Sequence, residues 1–196
     1  MFAKLPEGWM SDEELTELQR LAAGKRVLEI GTWKGRSACA MALAGAEVFC
    51  LDTFTGDSST GFEWTFPTVV RAGQDLGVIE RLHFLIGTWQ AILPCLDLAS
   101  FDLLFYDADH SEDATFEAGY ALVRGAREDV PVLFHDYLGW ESVMKGVNHV
   151  RDLSARDLRI VGTIAALEWP PEIASRGRST STAAESRVPV PAGNSA

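Results

Sequence analysis

Acidic and imidazole side chains follow a run of apolar residues in the segment LFYDADHSEDA, residues 104–114. Charged side chains seldom end a buried strand unless a ligand or a partner there compensates their charge. The carboxylates of Asp107 and Asp109 are of the kind that holds a divalent cation. The imidazole of His110, with an ordinary pKa of about 6.5, suits proton transfer at neutral pH. The segment therefore predicts a site for acid–base or metal-assisted chemistry.

Polar clusters also follow three other apolar runs. They are EIGTWKGRS at residues 29–37, Asp52 after EVFCL, and HDY at residues 135–137. If the apolar runs are parallel strands of one sheet, all four clusters lie along the edge where the carboxyl ends of the strands meet. Asp107 and Asp136 would then end neighbouring strands and could share one cation.

Two histidines and one carboxylate of these clusters have alternative interpretations. We expect His110 to be a general base, since two carboxylates precede it at the same edge. His135 is a candidate third metal ligand, and the alternative is a neutral histidine bonded to backbone. Asp109 could belong to the site or could cap the helix that begins near residues 110–114. His83 and His149 lie outside the clusters.

The glycines of the first cluster have the spacing G-x-x-x-G, at Gly31 and Gly35. A dinucleotide site would show G-x-G-x-x-G, so this turn would cradle a pyrophosphate poorly. Glu29 offers a carboxylate to a cationic ligand, and Asp52 could accept hydrogen bonds from both hydroxyls of a ribose. A positively charged nucleoside without phosphate therefore fits better than NAD. The alternative is that the glycines only end a strand and that Asp52 only caps a turn.

Strand and helix patterns alternate along the chain and position these clusters. A capping box of Ser11 and Glu14 opens the first helix, which Gly24 ends. The alternation predicts an α/β fold that is Rossmann-like and doubly wound, with a mostly parallel seven-stranded sheet. The last two strands are too close in sequence for a crossover helix, so they form an antiparallel hairpin. We predict strands over 26–32, 47–52, 82–88, 101–109, 131–137, 158–163 and 165–169, and helices over 37–46, 68–76, 89–96, 111–126 and 141–153.

Length and composition predict one domain over residues 1–170 and a disordered tail over residues 171–196. The chain has 196 residues, of which 47% are hydrophobic, while the tail is rich in Ser, Thr, Pro, Ala and Gly. The net charge of −11 argues against binding to nucleic acid or to an anionic membrane. We expect neither a membrane span nor a signal peptide.

Cysteine usage indicates the compartment. Cys39, Cys50 and Cys95 are odd in number and lie in apolar stretches. Such cysteines are typical of reduced residues that fill core space, so we expect a cytoplasmic protein.

The motifs, in the order GW-x-S-x-EE, LEIGTWKGRS, LDTFTGD, IGT, FDLLFYDADHSED and FHDY, resemble those of class I S-adenosylmethionine-dependent methyltransferases. The similar branch contains catechol-type, caffeoyl-coenzyme A and sugar O-methyltransferases. The resemblance spans residues 8–168. It implies that S-adenosylmethionine is bound by motif residues and by a few positions later in the chain, namely Glu29, Gly31, Trp33, Gly35, Ser37, Asp52, Thr88, Trp89 and Asp107.

The resemblance also implies catalytic roles. A metal-binding aspartate of the catechol-type enzymes matches Asp107, which implies Mg²⁺ or another divalent cation held with Asp136. A lysine general base of those enzymes falls at His110 here. Where they carry an Asp-Asn pair, this chain has Asp136 followed by Tyr137.

The leading hypothesis is methyl transfer from S-adenosylmethionine to a hydroxyl of a small-molecule acceptor. The alternatives are an NAD-dependent oxidoreductase on a similar sheet and a non-catalytic module that keeps the cofactor fold. The stretch over residues 53–67, together with the region of Trp140, is expected to form the acceptor wall, and the alternative is that its aromatic residues only cover the edge of the sheet. A second copy of the chain could complete the pocket. The wall would use the aromatic residues Phe54, Phe62, Trp64 and Phe66 and the polar residues Asp57 and Glu63.

Overall fold

The computed structural model describes residue 2, residues 4–57 and residues 61–168, and its centre is a seven-stranded sheet. The strand order is β5-β2-β1-β6-β7-β9-β8, with five parallel strands followed by the antiparallel pair β9 and β8. This confirms the predicted fold class. The predicted tail over 171–196 lies outside the described residues. The sheet strands are β1 (Arg26–Ile30), β2 (Glu47–Asp52), β5 (Leu82–Ile86), β6 (Leu103–Tyr106), β7 (Val132–Phe134), β8 (Asp157–Val161) and β9 (Ile164–Glu168).

Helices cover both faces of the sheet. One hydrophobic cluster lies beneath α1 and α2, and a second lies beneath α5 and α6. The central strands β1 and β6 are buried almost throughout, as expected for parallel strands covered on both faces. Within the described part of the chain, no helix is long and apolar enough to cross a membrane. The helices are α1 (Asp12–Ala22), α2 (Arg36–Leu43), α3 (Phe66–Asp75), α4 (Trp89–Ile92), α5 (Glu112–Gly125) and α6 (Glu141–Ser154).

Local sequence signals account for the first two helices. Ser11 and Glu14 form the predicted capping box at the start of α1. In α2 the residues from Ser37 to Ala42 are all buried, and most of them are small, so the helix can lie close to the sheet.

The strands that carry the site end earlier than predicted. β1 ends at Ile30, β6 at Tyr106 and β7 at Phe134. A few backbone hydrogen bonds continue beyond these ends: the amide of Gly31 donates to Leu51 O, and the amide of Asp107 donates to Ile30 O. The polar clusters therefore lie in loops whose first residues remain aligned with the sheet.

The stretch after β2 contains a short hairpin, β3 (Gly56–Asp57) paired with β4 (Gly61–Phe62). Phe54, which precedes the hairpin, is fully buried and packs edge-on against Phe66 and Phe84. The prediction that Phe54 belongs to an acceptor wall is therefore wrong, because its ring fills the core.

Candidate active site

The turn between β1 and α2 depends on two glycines with positive φ. Gly31 has φ of +94°, and a Cβ placed on it would lie 1.9 Å from the carbonyl oxygen of Asp107. Gly35 has φ of +86°, and a Cβ there would lie 2.8 Å from the Val69 side chain. A side chain at position 31 would push apart the loops after β1 and β6, so the first glycine serves backbone packing as well as ligand access.

Asp52 holds this turn in place. Its Oδ2 accepts a hydrogen bond from the amide of Trp33 at 2.7 Å, and its Oδ1 accepts one from the amide of Phe54 at 2.7 Å. Trp33 and Phe54 both have positive φ, at 47° and 57°. The capping alternative for Asp52 therefore applies, and the same carboxylate also faces the cavity. One residue shapes the turn and offers its remaining lone pairs to a ligand.

A cavity of about 310 Å³ lies at the carboxyl ends of β1, β2, β6 and β7. This is where open α/β sheets bind their ligands. Two predicted cofactor residues, Glu29 and Gly35, do not line the cavity. The predicted residues that do line it are Gly31, Trp33, Ser37, Asp52, Thr88, Trp89, Asp107, Asp109, His110, His135 and Asp136.

Glu29 lies behind the cavity wall and is completely buried. Ser37 Oγ lies 2.5 Å from its Oε1 and Thr32 Oγ1 lies 2.8 Å from its Oε2. Burial raises the pKa of Glu29 to about 8 and outweighs these two hydrogen bonds, and the charges of Asp107 and Asp52 raise it further. Glu29 is therefore mostly neutral at pH 7 and supports Ser37, which does face the cavity.

His110 and Asp136 form the part of the site suited to proton transfer. His110 Nε2 lies 3.1 Å from Asp136 Oδ2, and the imidazole stacks on the Trp140 ring at 5.0 Å. The neighbouring carboxylate of Asp136 raises the pKa of His110 above its ordinary value, although burial opposes this. Burial alone would raise the pKa of Asp136, but His110 and His135 hold it well below its usual range.

His135 lies beneath this pair and is 5% exposed. Its Nδ1 is 3.2 Å from Asp107 Oδ1 and 3.3 Å from Asp136 Oδ2, and its Nε2 is 3.7 Å from Glu14 Oε2. Burial would lower the pKa of His135, but the charge of Asp107 and the close contacts with Asp107, Asp136 and Glu14 raise it to about 12. His135 is therefore not bonded to backbone through its side chain, because carboxylates face both ring nitrogens. It lines the cavity, and its role as a third metal ligand stays a prediction.

The donor set at the cavity fits a divalent cation. Asp107, His110 and Asp136 each offer one ligand atom, and these atoms lie within 4.8 Å of one another. Carboxylate oxygens suit Mg²⁺ and Mn²⁺, and an imidazole nitrogen is more typical of Mn²⁺ and later transition metals. The residues could therefore hold the cation that was predicted for Asp107 and Asp136, and His110 offers a further donor atom beside them.

The acceptor side of the cavity differs from the prediction. Phe62 and Trp64 are exposed, at 84% and 52%, and neither lines the cavity. Glu63 forms an ion pair with Lys34 at 3.3 Å instead. Trp140 approaches the site only through its stack on His110. The side chain of Asp57 lies outside the described part of the structure.

Residues 8–10 form a wall of the cavity that the sequence reasoning missed. Trp9 lines the cavity and stacks on Trp33 with ring centroids 4.5 Å apart. Arg36 anchors this segment, since its guanidinium donates to the carbonyl oxygens of Pro6 and Met10. An N-terminal Trp two residues before a capping box gives no local signal that it will meet the β1–α2 turn.

Several other residues take structural roles. Asp109 Oδ1 accepts a hydrogen bond from the amide of Ser111, but the N-cap of α5 is Ser111 itself, and Asp109 also lines the cavity. His83 pairs with Glu47 and His149 stacks on Phe116, both outside the cavity as predicted.

The cysteines are unpaired. Cys39 and Cys50 are buried, and burial raises both thiol pKa values, that of Cys39 to about 12. These two pack in the core as expected, whereas Cys95 is exposed.

A family model described as "Methyltransferase domain" matches residues 28–137, which is more than half of the chain. The matched region runs from β1 through the polar cluster after β7. No curated protein sequence matches this chain at a significant level.

Solved structures share the fold. TomG from Streptomyces achromogenes, an O-methyltransferase solved with SAM, is 22% identical with a TM-score of 0.62, and the match covers 85% of this chain and 84% of TomG. The O-methyltransferase from Bacillus cereus, solved with SAH, is 20% identical with a TM-score of 0.60 and 85% coverage of both chains. Cofactor-bound Rv0187 from MTB is 23% identical with a TM-score of 0.61 and 83% coverage of both chains. At these identities the likeness shows the fold.

Proposed function

Because this chain belongs to the methyltransferase-domain family, we propose that it transfers a methyl group from S-adenosylmethionine to a hydroxyl of a small molecule. One observation carries the proposal. The cavity at the carboxyl ends of the parallel strands brings together the β1–α2 turn, Asp52, and the cluster of Asp107, His110 and Asp136. The structures of TomG and of the Bacillus cereus protein, solved with SAM and SAH, support the choice of methyl donor.

The methyl donor would be held at the β1–α2 turn and at the ends of β2 and β5. Gly31 and Ser37 lie where the methionine part would bind, and Asp52 can accept hydrogen bonds from the ribose hydroxyls. Thr88 and Trp89 lie on the side where the adenine would bind. The turn has no third glycine for a pyrophosphate, so the same cavity is poorly suited to NAD.

His110 would take the proton of the acceptor hydroxyl. Nε2 lies beside Asp136 Oδ2, and a proton on Nε2 leaves the lone pair of Nδ1 to accept. As the new carbon–oxygen bond forms, the bond from the methyl carbon to the donor sulfur breaks and the hydroxyl proton passes to Nδ1. Asp136 stabilises the imidazolium that results, and S-adenosylhomocysteine leaves with a neutral sulfur.

Asp107 and Asp136 would also hold a divalent cation, which when bound lowers the pKa of an acceptor hydroxyl. The two carboxylates then have a second role, since they orient the acceptor oxygen toward the donor. The two carboxylates would then hold the cation without His110, because an imidazole that ligates a metal through one nitrogen keeps its proton on the other and could not act as the base.

The charge of the cavity limits the acceptor. Carboxylates on its wall outnumber the cations, and the guanidinium of Arg36 is already occupied by two backbone carbonyls. An acceptor with phosphate groups would be repelled. The acceptor is therefore a neutral or cationic hydroxyl compound. The buried, unpaired thiols of Cys39 and Cys50 favour a reducing compartment, so we place the reaction in the cytoplasm.

Calorimetric titration tests the donor. We expect heat of binding with S-adenosylmethionine and with S-adenosylhomocysteine, and none with NAD at the same concentration. The product can be found by incubation with labelled S-adenosylmethionine and a small-molecule extract, with and without an excess of chelator. A protein that binds NAD but neither sulfur nucleoside would refute the proposal. Full transfer in the presence of chelator would leave Asp107 and Asp136 only the role of positioning the substrates.

A further inference from the structure

Glu14 makes more contacts than a helix cap requires. Its Oε2 accepts hydrogen bonds from the amide and the hydroxyl of Ser11, each at 2.8 Å, which completes the capping box. Its Oε1 accepts two more, from the amide and the hydroxyl of Thr163, each at 2.6 Å. Glu14 is only 3% exposed. Capping glutamates are usually solvated, so this carboxylate is held inside the protein for a further purpose.

The buried carboxylate faces the ring that supports the active site. Glu14 Oε2 lies 3.7 Å from Nε2 of His135, which is longer than a hydrogen bond but leaves no room for a water molecule between the two buried groups. The other ring nitrogen, Nδ1, lies between the carboxylates of Asp107 and Asp136. The imidazole thus has carboxylate oxygens at both nitrogens, one from α1 and two from the cavity.

We propose that Glu14 is a positioning residue that acts on the active site through His135. It orients the ring whose Nδ1 holds the carboxylates of Asp107 and Asp136 together at the cavity. The two aspartates end neighbouring strands and would repel each other without a donor between them. The expected effect of Glu14 on the rate of methyl transfer rests on the proposed function. Its expected effect on the distances between His135 and the two aspartates does not.

The contacts of Glu14 also explain why a carboxylate is needed at this position. Glu14 joins the start of α1, the β8–β9 turn at Thr163 and the ring of His135. A glutamine could satisfy Thr163 with its oxygen, but its NH₂ group would then face Ser11 and His135. The NH₂ group would meet the amide of Ser11, which is also a donor, so the side chain would turn away and would no longer fix the orientation of the imidazole.

Glu14→Gln is therefore the test, with two matched controls. Ser11→Ala removes one hydrogen bond to the same carboxylate, and Thr163→Val removes another, while both leave the charge of Glu14 in place. Crystal structures of the three variants give the distances from His135 Nδ1 to Asp107 Oδ1 and Asp136 Oδ2. Label transfer from S-adenosylmethionine into a small-molecule extract gives the maximal rate, and calorimetry gives the affinity for S-adenosylhomocysteine.

In Glu14→Gln we expect at least one of the two Nδ1–carboxylate contacts to be lost. The maximal rate should fall roughly ten- to a hundredfold, in line with the effect of small displacements of reacting groups. The affinity for S-adenosylhomocysteine should stay close to that of the parent protein. Both controls should keep the contacts and the rate, even where they lower the unfolding temperature.

The outcomes separate this inference from the proposed function. Both contacts intact in Glu14→Gln, or an equal loss of rate in the controls, would overturn the positioning role. If the parent protein transfers no label, the proposed function fails, and the distances still decide the role of Glu14. If Glu14→Gln does not fold, Glu14→Asp replaces it, because the shorter side chain keeps the charge but withdraws from His135; retention of both Nδ1 contacts and of the rate in that variant would overturn the inference.

Discussion

Replacing Glu29 by glutamine should make the protein more stable at neutral and alkaline pH. The wild-type carboxyl is completely buried, with its pKa raised to about 8 by burial and by the charges of Asp107 and Asp52. In the unfolded chain the same group has an ordinary pKa of 4.5. Glutamine keeps the shape and can still bond to the hydroxyls of Ser37 and Thr32, but it cannot ionise.

The sign and size of the effect follow from this pKa difference. Between pH 4.5 and 8 the folded protein holds a proton at Glu29 that the unfolded chain has released, so raising the pH favours unfolding. The wild type should lose ~1.4 kcal/mol of unfolding free energy per pH unit from this group across that range. The full shift corresponds to about 5 kcal/mol, which the Glu29→Gln variant should not lose.

Urea unfolding of both proteins at several pH values from 4 to 9 gives the measurement. The difference in unfolding free energy between variant and wild type should be small near pH 4, grow steadily and level off above pH 8. Glu117→Gln, the same chemical change at an exposed site on α5, controls for the removal of one charge. A difference for Glu29→Gln that is constant with pH would mean that Glu29 is ionised throughout, and the account of this buried site would be wrong.

Two further changes test the turn and the base. Gly31→Ala should lower the unfolding free energy by roughly 3 kcal/mol or more, because its Cβ would meet the Asp107 carbonyl. Gly24→Ala, also at positive φ but with no atom within 4 Å, should cost only about 1 kcal/mol by the same urea assay; equal losses would refute the packing argument. His110→Gln should lower turnover roughly a hundredfold or more with unchanged calorimetric affinity for S-adenosylhomocysteine. His149→Gln, outside the cavity, should keep full turnover, and a His110→Gln variant as active as this control would exclude the proton-transfer role.

The sheet and the position of the cavity could be predicted because their signals are local. Apolar runs alternate with helical patterns, and each run ends in a polar cluster, so the rule for parallel sheets places the clusters together. Gly31 and Asp52 were found in this way, and both line the cavity. The ends of the strands were less predictable. Strand β6 ends at Tyr106, where its pairing with β7 stops, and the sequence of β6 alone does not show where that pairing stops.

Contacts between distant segments could not be predicted. Trp9 reaches the cavity only because the segment before α1 packs on the β1–α2 turn through Arg36. Phe54 lies in a stretch that predicts a binding loop. Its backbone has positive φ, however, and its ring is buried in the core. The local sequence predicts that Glu14 belongs to a helix cap. Nothing in that sequence indicates its contact with His135, 121 positions later in the chain.

The two buried glutamates near the site differ in charge because they differ in the donors around them. Glu14 has four hydrogen bonds and the ring of His135, and these hold its pKa well below its usual range although burial opposes them. Glu29 has two hydroxyls and faces the charges of Asp52 and Asp107, so it keeps its proton. The charge beneath the cavity is thus balanced between Glu14 and His135, while the carboxylates on the cavity wall retain their negative field. A cationic sulfonium donor would be attracted to that field, and the neutral sulfur of the product would be held less strongly, which favours turnover.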